Sequence, residues 1–200
     1  MTPSALRRAV TTTLVTGPVR SGKSRHAEEL LWQSESATYV ATGRLASPDD
    51  PEWSRRVADH QTRRPTSWRT VETADVAAVI EAARQPVLVD CLGAWLTAVV
   101  DETGWDDLVA AADVVRTSGD RLVESLGAAT VPVVVVTNEV GWSLVPTTPS
   151  GRFFQDELGR LNALVASVAA RVHLVVAGRV LDLSDTPVVP AQPRPRTLDA

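Results

Sequence analysis

The clearest chemistry in the chain lies in one short stretch. Gly17-Pro18-Val19-Arg20-Ser21-Gly22-Lys23-Ser24 fits G-x-x-x-x-G-K-[ST], a loop that wraps a polyphosphate. In such a loop, backbone N–H groups and the dipole of the following helix face the phosphates. Lys23 would reach the β- and γ-phosphates, and the Ser24 hydroxyl would ligate Mg²⁺. Among the 20 Lys and Arg residues, Lys23 alone is lysine. A compact ammonium fits inside a ring of amides where a broad guanidinium does not, so its survival among so many arginines is informative. A second candidate is Asp90, which ends the apolar run Pro86-Val87-Leu88-Val89. An acid there can hold Mg²⁺ through water, and the simpler alternative is a capping acid at a strand-to-helix turn.

The third candidate is His60. It stands in a stretch from Asp50 to Pro65 that concentrates charge in a mildly acidic chain, with Arg56, Arg63 and Arg64 close by. A neutral imidazole among phosphate-binding arginines could attack an α-phosphate and form a phosphoramidate. From spacing alone, a solvated helix face with an incidental histidine is the simpler account. His26, in the helix after the loop, reads most simply as a surface residue, and His173, in an apolar strand, as a core or strand-end residue.

These residues need a scaffold, and the pattern supplies one. Thr12 to Thr16 is short, β-branched and apolar, the pattern of a strand, and Arg25 to Ser34 reads as a helix. Further strands are expected over 37–42, from Trp68, over 86–92, over 131–137 and over 172–177, the last clear one. Helical patterns cover 52–63, 74–84, 92–126 with a break near Gly104, and 151–170. Strands alternating with helices imply an α/β fold, a mostly parallel sheet covered on both faces. In such a sheet, ligands bind beyond the carboxyl ends of the strands. That rule gathers the phosphate loop, Thr42, Asp90, Asn138 and Glu139 at one edge. We expect one domain over residues 12–184, an N-terminal extension over 1–11, and a proline-rich, disordered tail over 185–200.

Composition narrows the functional classes. The apolar fraction of 44% and the lack of any long apolar run describe a globular, cytoplasmic protein without a membrane span or signal peptide. A single cysteine, Cys91, leaves no disulfide or zinc cluster. A formal net charge of −4 argues against a nucleic-acid surface.

At this level of detail the chain resembles the bifunctional adenosylcobinamide kinase / adenosylcobinamide-phosphate guanylyltransferases of cobalamin synthesis, from about Thr13 to Leu183. The family's loop G-G-x-R-S-G-K-S is matched except at Pro18. Its Y-[IV]-A-T appears as Tyr39-Val40-Ala41-Thr42. Asp50, Glu52, Arg56, Val57, His60, Arg64, Pro65, Trp68, Thr70 and Glu72 stand in register with the next signature, with Trp53 in place of Met. Asp90-Cys91-Leu92 with Trp95-Leu96, then Thr137 to Pro146, then Arg152, Phe154, Asp156, Gly159 and Asn162 complete the series. Gly93, Ala98 and Gln155 depart from it.

The resemblance implies a P-loop NTPase-type (RecA-like) fold and two activities. One phosphorylates the aminopropanol hydroxyl of adenosylcobinamide with ATP or GTP. The other transfers GMP from GTP, through a guanylylated His60, to the cobinamide phosphate. It further implies that Ala41, Thr42, Gly43, Gln61, Thr62, Arg63, Arg64, Glu72 and Asp90 surround the nucleotide, with Ser24 and Asp90 serving Mg²⁺. A large corrinoid substrate and a trimer belong to the same picture. Two other readings compete on the phosphate loop alone: a kinase of some other small alcohol, and a nucleotide switch or motor. The first does not explain the segment around His60, and the acidic balance weighs against a motor.

Overall fold

The computed structural model describes residues 12–44, 50–62 and 64–189. The extension over 1–11, part of the loop after Arg44, Arg63 and the tail from 190 lie outside the described residues, as do the side chains of Pro51, Trp53, Arg56, Asp59 and His60. The chain runs β1 (Thr12–Thr16), α1 (Lys23–Leu30), β2 (Thr38–Ala41), α2 (Pro51–Thr62), β3 (Arg69–Glu72), α3 (Val76–Ala82) and β4 (Val87–Asp90). It continues through α4 (Leu92–Thr103), α5 (Leu108–Gly127), β5 (Val133–Val136), α6 (Pro149–Val168), β6 (Arg171–Val176) and β7 (Arg179–Asp182).

The seven strands form one sheet in the order β3-β2-β4-β5-β1-β6-β7. All pairings are parallel except β6 with β7. The strand period of two explains how the sheet is covered on both faces. In β5, Val133 and Val135 point into a cluster with α3, α4, α5 and α6, while Val134 and Val136 point the other way, toward Ala27 of α1. The same split divides Val87 and Val89 from Leu88 in β4, and Leu14 from Val15 in β1. Fully burying a Val or Leu is worth about 1.5–3 kcal/mol over leaving it exposed, so this alternation fixes the register of the central strands.

Side-chain caps start three of the helices: Asp75 accepts from Ala78 N–H, Asp107 from Val109 and Ala110, and Thr148 from Gly151. The helix α1 begins differently. Its N-cap is Gly22, in the left-handed region at φ 98°, and no side chain caps it. Its first N–H groups are thus left for another partner.

Three expectations need correction. The first helix starts at Lys23, not Arg25, and stops at Leu30, because Leu31 and Trp32 N–H turn back onto Glu28 and Glu29 carbonyls. β6 is not the last strand, since Ala177 and Gly178, both at positive φ, turn the chain into β7. His26 is not a plain surface residue, as shown below. No helix among the described residues is long and apolar enough to cross a membrane.

Candidate functional site

The phosphate loop leaves β1 and enters α1 at the carboxyl edge of the sheet. Gly17 is required there by packing: a Cβ at that position would stand 2.3 Å from the Val175 carbonyl oxygen and 2.9 Å from Ser21 Oγ. The Pro18 carbonyl accepts from Ser21 N–H at 3.3 Å and from Lys23 Nζ at 3.1 Å, so the substitution at Pro18 keeps a working acceptor inside the loop. Val19 and Arg20 form the exposed crest, with Arg20 at φ 59°. Lys23 is only 8% exposed. Burial lowers its pKa from the ordinary lysine value, and the neighbouring Cys91 and Asp90 pull against that shift. Ser21 Oγ, also buried, has no hydrogen-bond partner among the described residues.

β5 separates β1 from β4 in the sheet, yet Ser24 and Asp90 meet. The reason is that α1 packs across β5 and β4 as well as β1. Ser24 Oγ donates to Asp90 Oδ1 at 3.4 Å, and Tyr39 Oη donates to Asp90 Oδ2 at 2.8 Å. Burial first, and then the Asp90 charge, raise the Tyr39 pKa well above the ordinary phenol value, which keeps the hydroxyl a donor. Beside the carboxylate, Thr42 Oγ1 donates to the Cys91 carbonyl at 2.7 Å and Cys91 Sγ to Asn138 Oδ1 at 3.3 Å. Burial and Asp90 push the Cys91 thiol up to about 11, so it stays a neutral donor. Three residues past β5, Glu139 N–H donates to the Gly17 carbonyl at 3.2 Å, and Thr16 Oγ1 donates to Glu139 Oε1 at 2.6 Å. Asn162 of α6 braces this corner. It donates to the Asn138 carbonyl at 3.1 Å and accepts from Thr137 Oγ1 at 2.6 Å.

The expected site residues fall into two groups. Gly17 to Ser24, Thr42 and Asp90 are brought together, with Ala41 and Gly43 flanking Thr42 at the end of β2. Glu72 ends β3, exposed, in register with Ala41. Gln61 and Thr62 are exposed at the end of α2. Position 60 falls within α2, while the His60 side chain and Arg63 lie outside the described residues. Arg64 is tied to the frame. Its guanidinium carbon lies 3.3 Å from the centroid of the Tyr39 ring, and Nη1 donates to Thr70 Oγ1 at 3.0 Å. Such a cation over an aromatic face is attractive, by about 0.5–2 kcal/mol.

Two features escaped the sequence reading. Tyr39 entered only as a letter in a signature. His26 Nε2 and His173 Nδ1 lie 2.9 Å apart, and His173 Nε2 lies 3.9 Å from Asp182 Oδ2. As for cations, Ser24 and Asp90 offer two hard oxygen donors. Among the described residues no group of three His, Cys, Asp or Glu could hold a metal by itself.

This arrangement can grip a nucleoside triphosphate through loop amides, one buried ammonium and one oxygen pair. Comparison with known proteins bears on the family and on the fold. The sequence pattern of the cobinamide kinase / cobinamide phosphate guanyltransferase family matches residues 13–183. The bifunctional adenosylcobalamin biosynthesis protein CobU of Escherichia coli is 37% identical over 175 residues, covering 82% of this chain and 95% of that protein. The corresponding protein CobP of Pseudomonas aeruginosa is 38% identical over 183 residues, covering 88% and 98%. Among solved structures, an ATPase from the type III secretion system of pathogenic bacteria superposes with a TM-score of 0.51 at 14% identity. It covers 82% of this chain, which spans only 50% of the ATPase, and it bears on the fold alone: an α/β, P-loop-type sheet. With the pattern spanning nearly every described element and both relatives matched along almost their full length, the chain belongs to the bifunctional cobinamide kinase / cobinamide phosphate guanyltransferase family.

Proposed function

We propose that this chain runs both family reactions at one nucleotide site, on the carboxyl edge of the sheet. The observation that carries this reading is the meeting of Ser24 with Asp90 at 3.4 Å, beside buried Lys23 and the uncapped start of α1. The donor set fits Mg²⁺, a hard cation that keeps several waters and takes few protein ligands. When bound, Mg²⁺ would neutralise charge on the phosphates of ATP or GTP, with Ser24 and Asp90 as its protein oxygens.

In the kinase reaction, the loop amides hold the triphosphate. Lys23 leaves the Pro18 carbonyl and turns to the β- and γ-phosphates. The aminopropanol hydroxyl oxygen of adenosylcobinamide forms a bond to the γ-phosphorus as the bond from that phosphorus to the bridging oxygen breaks, the nucleoside diphosphate leaves, and the hydroxyl proton passes to water. In the second reaction, a ring nitrogen of His60 attacks the α-phosphorus of GTP and pyrophosphate leaves. An oxygen of the cobinamide phosphate then takes the GMP, the P–N bond breaks, and the imidazole is freed. Both transfers depend on alignment and on charge neutralisation, and the second adds covalent help from His60. Arg63 and Arg64 are placed by sequence to assist the phosphates next to His60. Ala41, Thr42, Gly43, Gln61, Thr62 and Glu72 line the nucleotide in the same reading. The chain would act in the cytoplasm as a homotrimer, which sedimentation of the purified protein would check.

Intact mass after incubation with GTP, Mg²⁺ and pyrophosphatase tests the acceptor. Wild type should gain one acid-labile GMP, and His60→Ala none. An adduct on the variant would move the acceptor elsewhere. No adduct on either would leave this chain with the kinase reaction only.

A further inference from the structure

Asp90 uses both of its oxygens. Oδ1 faces Ser24, and Oδ2 accepts the Tyr39 phenol at 2.8 Å. Tyr39 belongs to β2, where it pairs in register with Leu88 of β4, one strand residue away from Val89 and two from Asp90. Its side chain is 2% exposed and sits in the cluster beneath α1 with Val15, Ala27, Leu88 and Val136. The phenol therefore cannot swing without repacking that face. The other side of the ring carries the Arg64 guanidinium, and Arg64 Nε is buried without a hydrogen-bond partner among the described residues. The ring thus touches the Asp90 carboxylate at one end and, on its face, the arginine that follows α2.

A carboxylate held by one oxygen rotates easily, because its terminal torsion is broad and two-fold. Held by both, it presents a fixed oxygen. We propose that Tyr39 is a positioning residue: its phenol fixes the plane of Asp90 so that Oδ1 is the oxygen offered to Ser24 and the nucleotide-bound cation. This inference rests on the reading that Asp90 serves Mg²⁺. The hydrogen bond is charge-assisted, the stronger kind, and partners of this type orient metal-site carboxylates elsewhere.

Tyr39→Phe is the natural probe, since it keeps the ring, its packing and the Arg64 contact. GTP affinity would be measured by calorimetry with Mg²⁺ and with EDTA, for wild type, Tyr39→Phe, Asp90→Asn and the double variant. The ratio of the two affinities is the Mg²⁺ coupling. In Tyr39→Phe that coupling should fall by roughly ten- to a hundredfold, the usual cost of losing such a partner. Affinity in EDTA should stay within about twofold of wild type. In the Asp90→Asn background, Tyr39→Phe should change the coupling no further. The KM for Mg²⁺ in the kinase assay should rise while kcat at saturating Mg²⁺ holds.

A purely structural tyrosine would lower the melting temperature and leave the coupling untouched. Wild-type coupling in Tyr39→Phe, with coupling lost in Asp90→Asn, overturns the role of Tyr39 alone. Coupling that survives Asp90→Asn overturns the cation reading of Asp90, and the inference with it. Equal losses from Tyr39→Phe with and without the Asp90 carboxylate would show that it acts by another route.

Discussion

Two polar clusters flank the first turns of α1, and they are built from different materials. Toward β4, Ser24 meets Asp90, whose other oxygen is held by Tyr39. Toward β6, His26 meets His173 at 2.9 Å, with Asp182 of β7 at 3.9 Å from the far nitrogen. The first cluster is oxygen-rich, carries a carboxylate, and adjoins an ammonium that is costly to bury. The second is a pair of imidazoles, one donating and the other accepting, so the contact itself needs no charge. Its acid, Asp182, is mostly exposed. A fold optimised only for stability would not keep Lys23 buried beside Asp90. It would favour the neutral arrangement on both sides. The contrast fits the proposed phosphate chemistry on the β4 side, with the β6 side left to brace α1.

The sharpest way to break that contrast is Lys23→Met, an apolar replacement of similar length. Both transfer reactions should fall by about 10²–10³-fold, the usual cost of losing one preorganised donor to a transferring group. The nucleotide-free protein should gain stability. Burial depresses the Lys23 pKa, so the charged amine is a liability in the folded state until phosphates arrive. A rise of about 2–4 °C in Tm would correspond to ~1 kcal/mol in a domain of this size. The rise should vanish when GTP and Mg²⁺ are added, because only wild type is then stabilised by binding. A lower Tm for the nucleotide-free variant would mean that Lys23 holds the loop together through the Pro18 carbonyl.

The β4 side could be foreseen from the sequence, and the β6 side could not. Glycines and a lone lysine at fixed spacing encode the loop locally, and the apolar run before Asp90 is a local pattern too. The carboxyl-edge rule then brings Thr42, Asp90 and Glu139 to the loop without any contact being known. His26 and His173 are far apart in sequence, on a helix and a strand whose adjacency exists only once β6 pairs with β1. β7 was missed for a related reason. Arg179 to Asp182 is exposed throughout, an antiparallel edge strand with no buried alternation to betray it. Its one local sign is the Ala177-Gly178 turn, where both residues take positive φ. Tyr39 shows the limit from the other direction. Its aromatic, β-branched surroundings signal a buried strand, but nothing local says that its hydroxyl ends on Asp90.

The β6 side can be probed by His173→Phe, which keeps the bulk and removes the nitrogen facing His26. Leaving a partly buried imidazole without its partner should cost about 1–3 kcal/mol of stability. Kinase turnover and the GMP adduct should both remain within about twofold of wild type at a temperature where each protein is folded. A tenfold loss of turnover without loss of fold would place the imidazoles in the chemistry and erase the contrast between the two clusters.

The smallest effect is one of pH. Burial, and then the neighbouring His173, lower the His26 pKa below the ordinary 6.5, with Glu29 opposing. Below pH 6.5 the unfolded chain therefore takes up this proton before the folded one does. The associated stability is present above that pH and is lost as pH falls toward the folded pKa. Urea unfolding at pH 7.5 and at pH 5.5 would show it as a steeper acid-side loss in wild type than in His26→Gln. Because the group is only partly buried, solvent keeps the difference small, and its sign is the informative part. If the two proteins lose stability in parallel, His26 titrates alike in the folded and unfolded chains. The 2.9 Å contact would then be no more than proximity, and the β6 side would owe its strength to strand pairing alone.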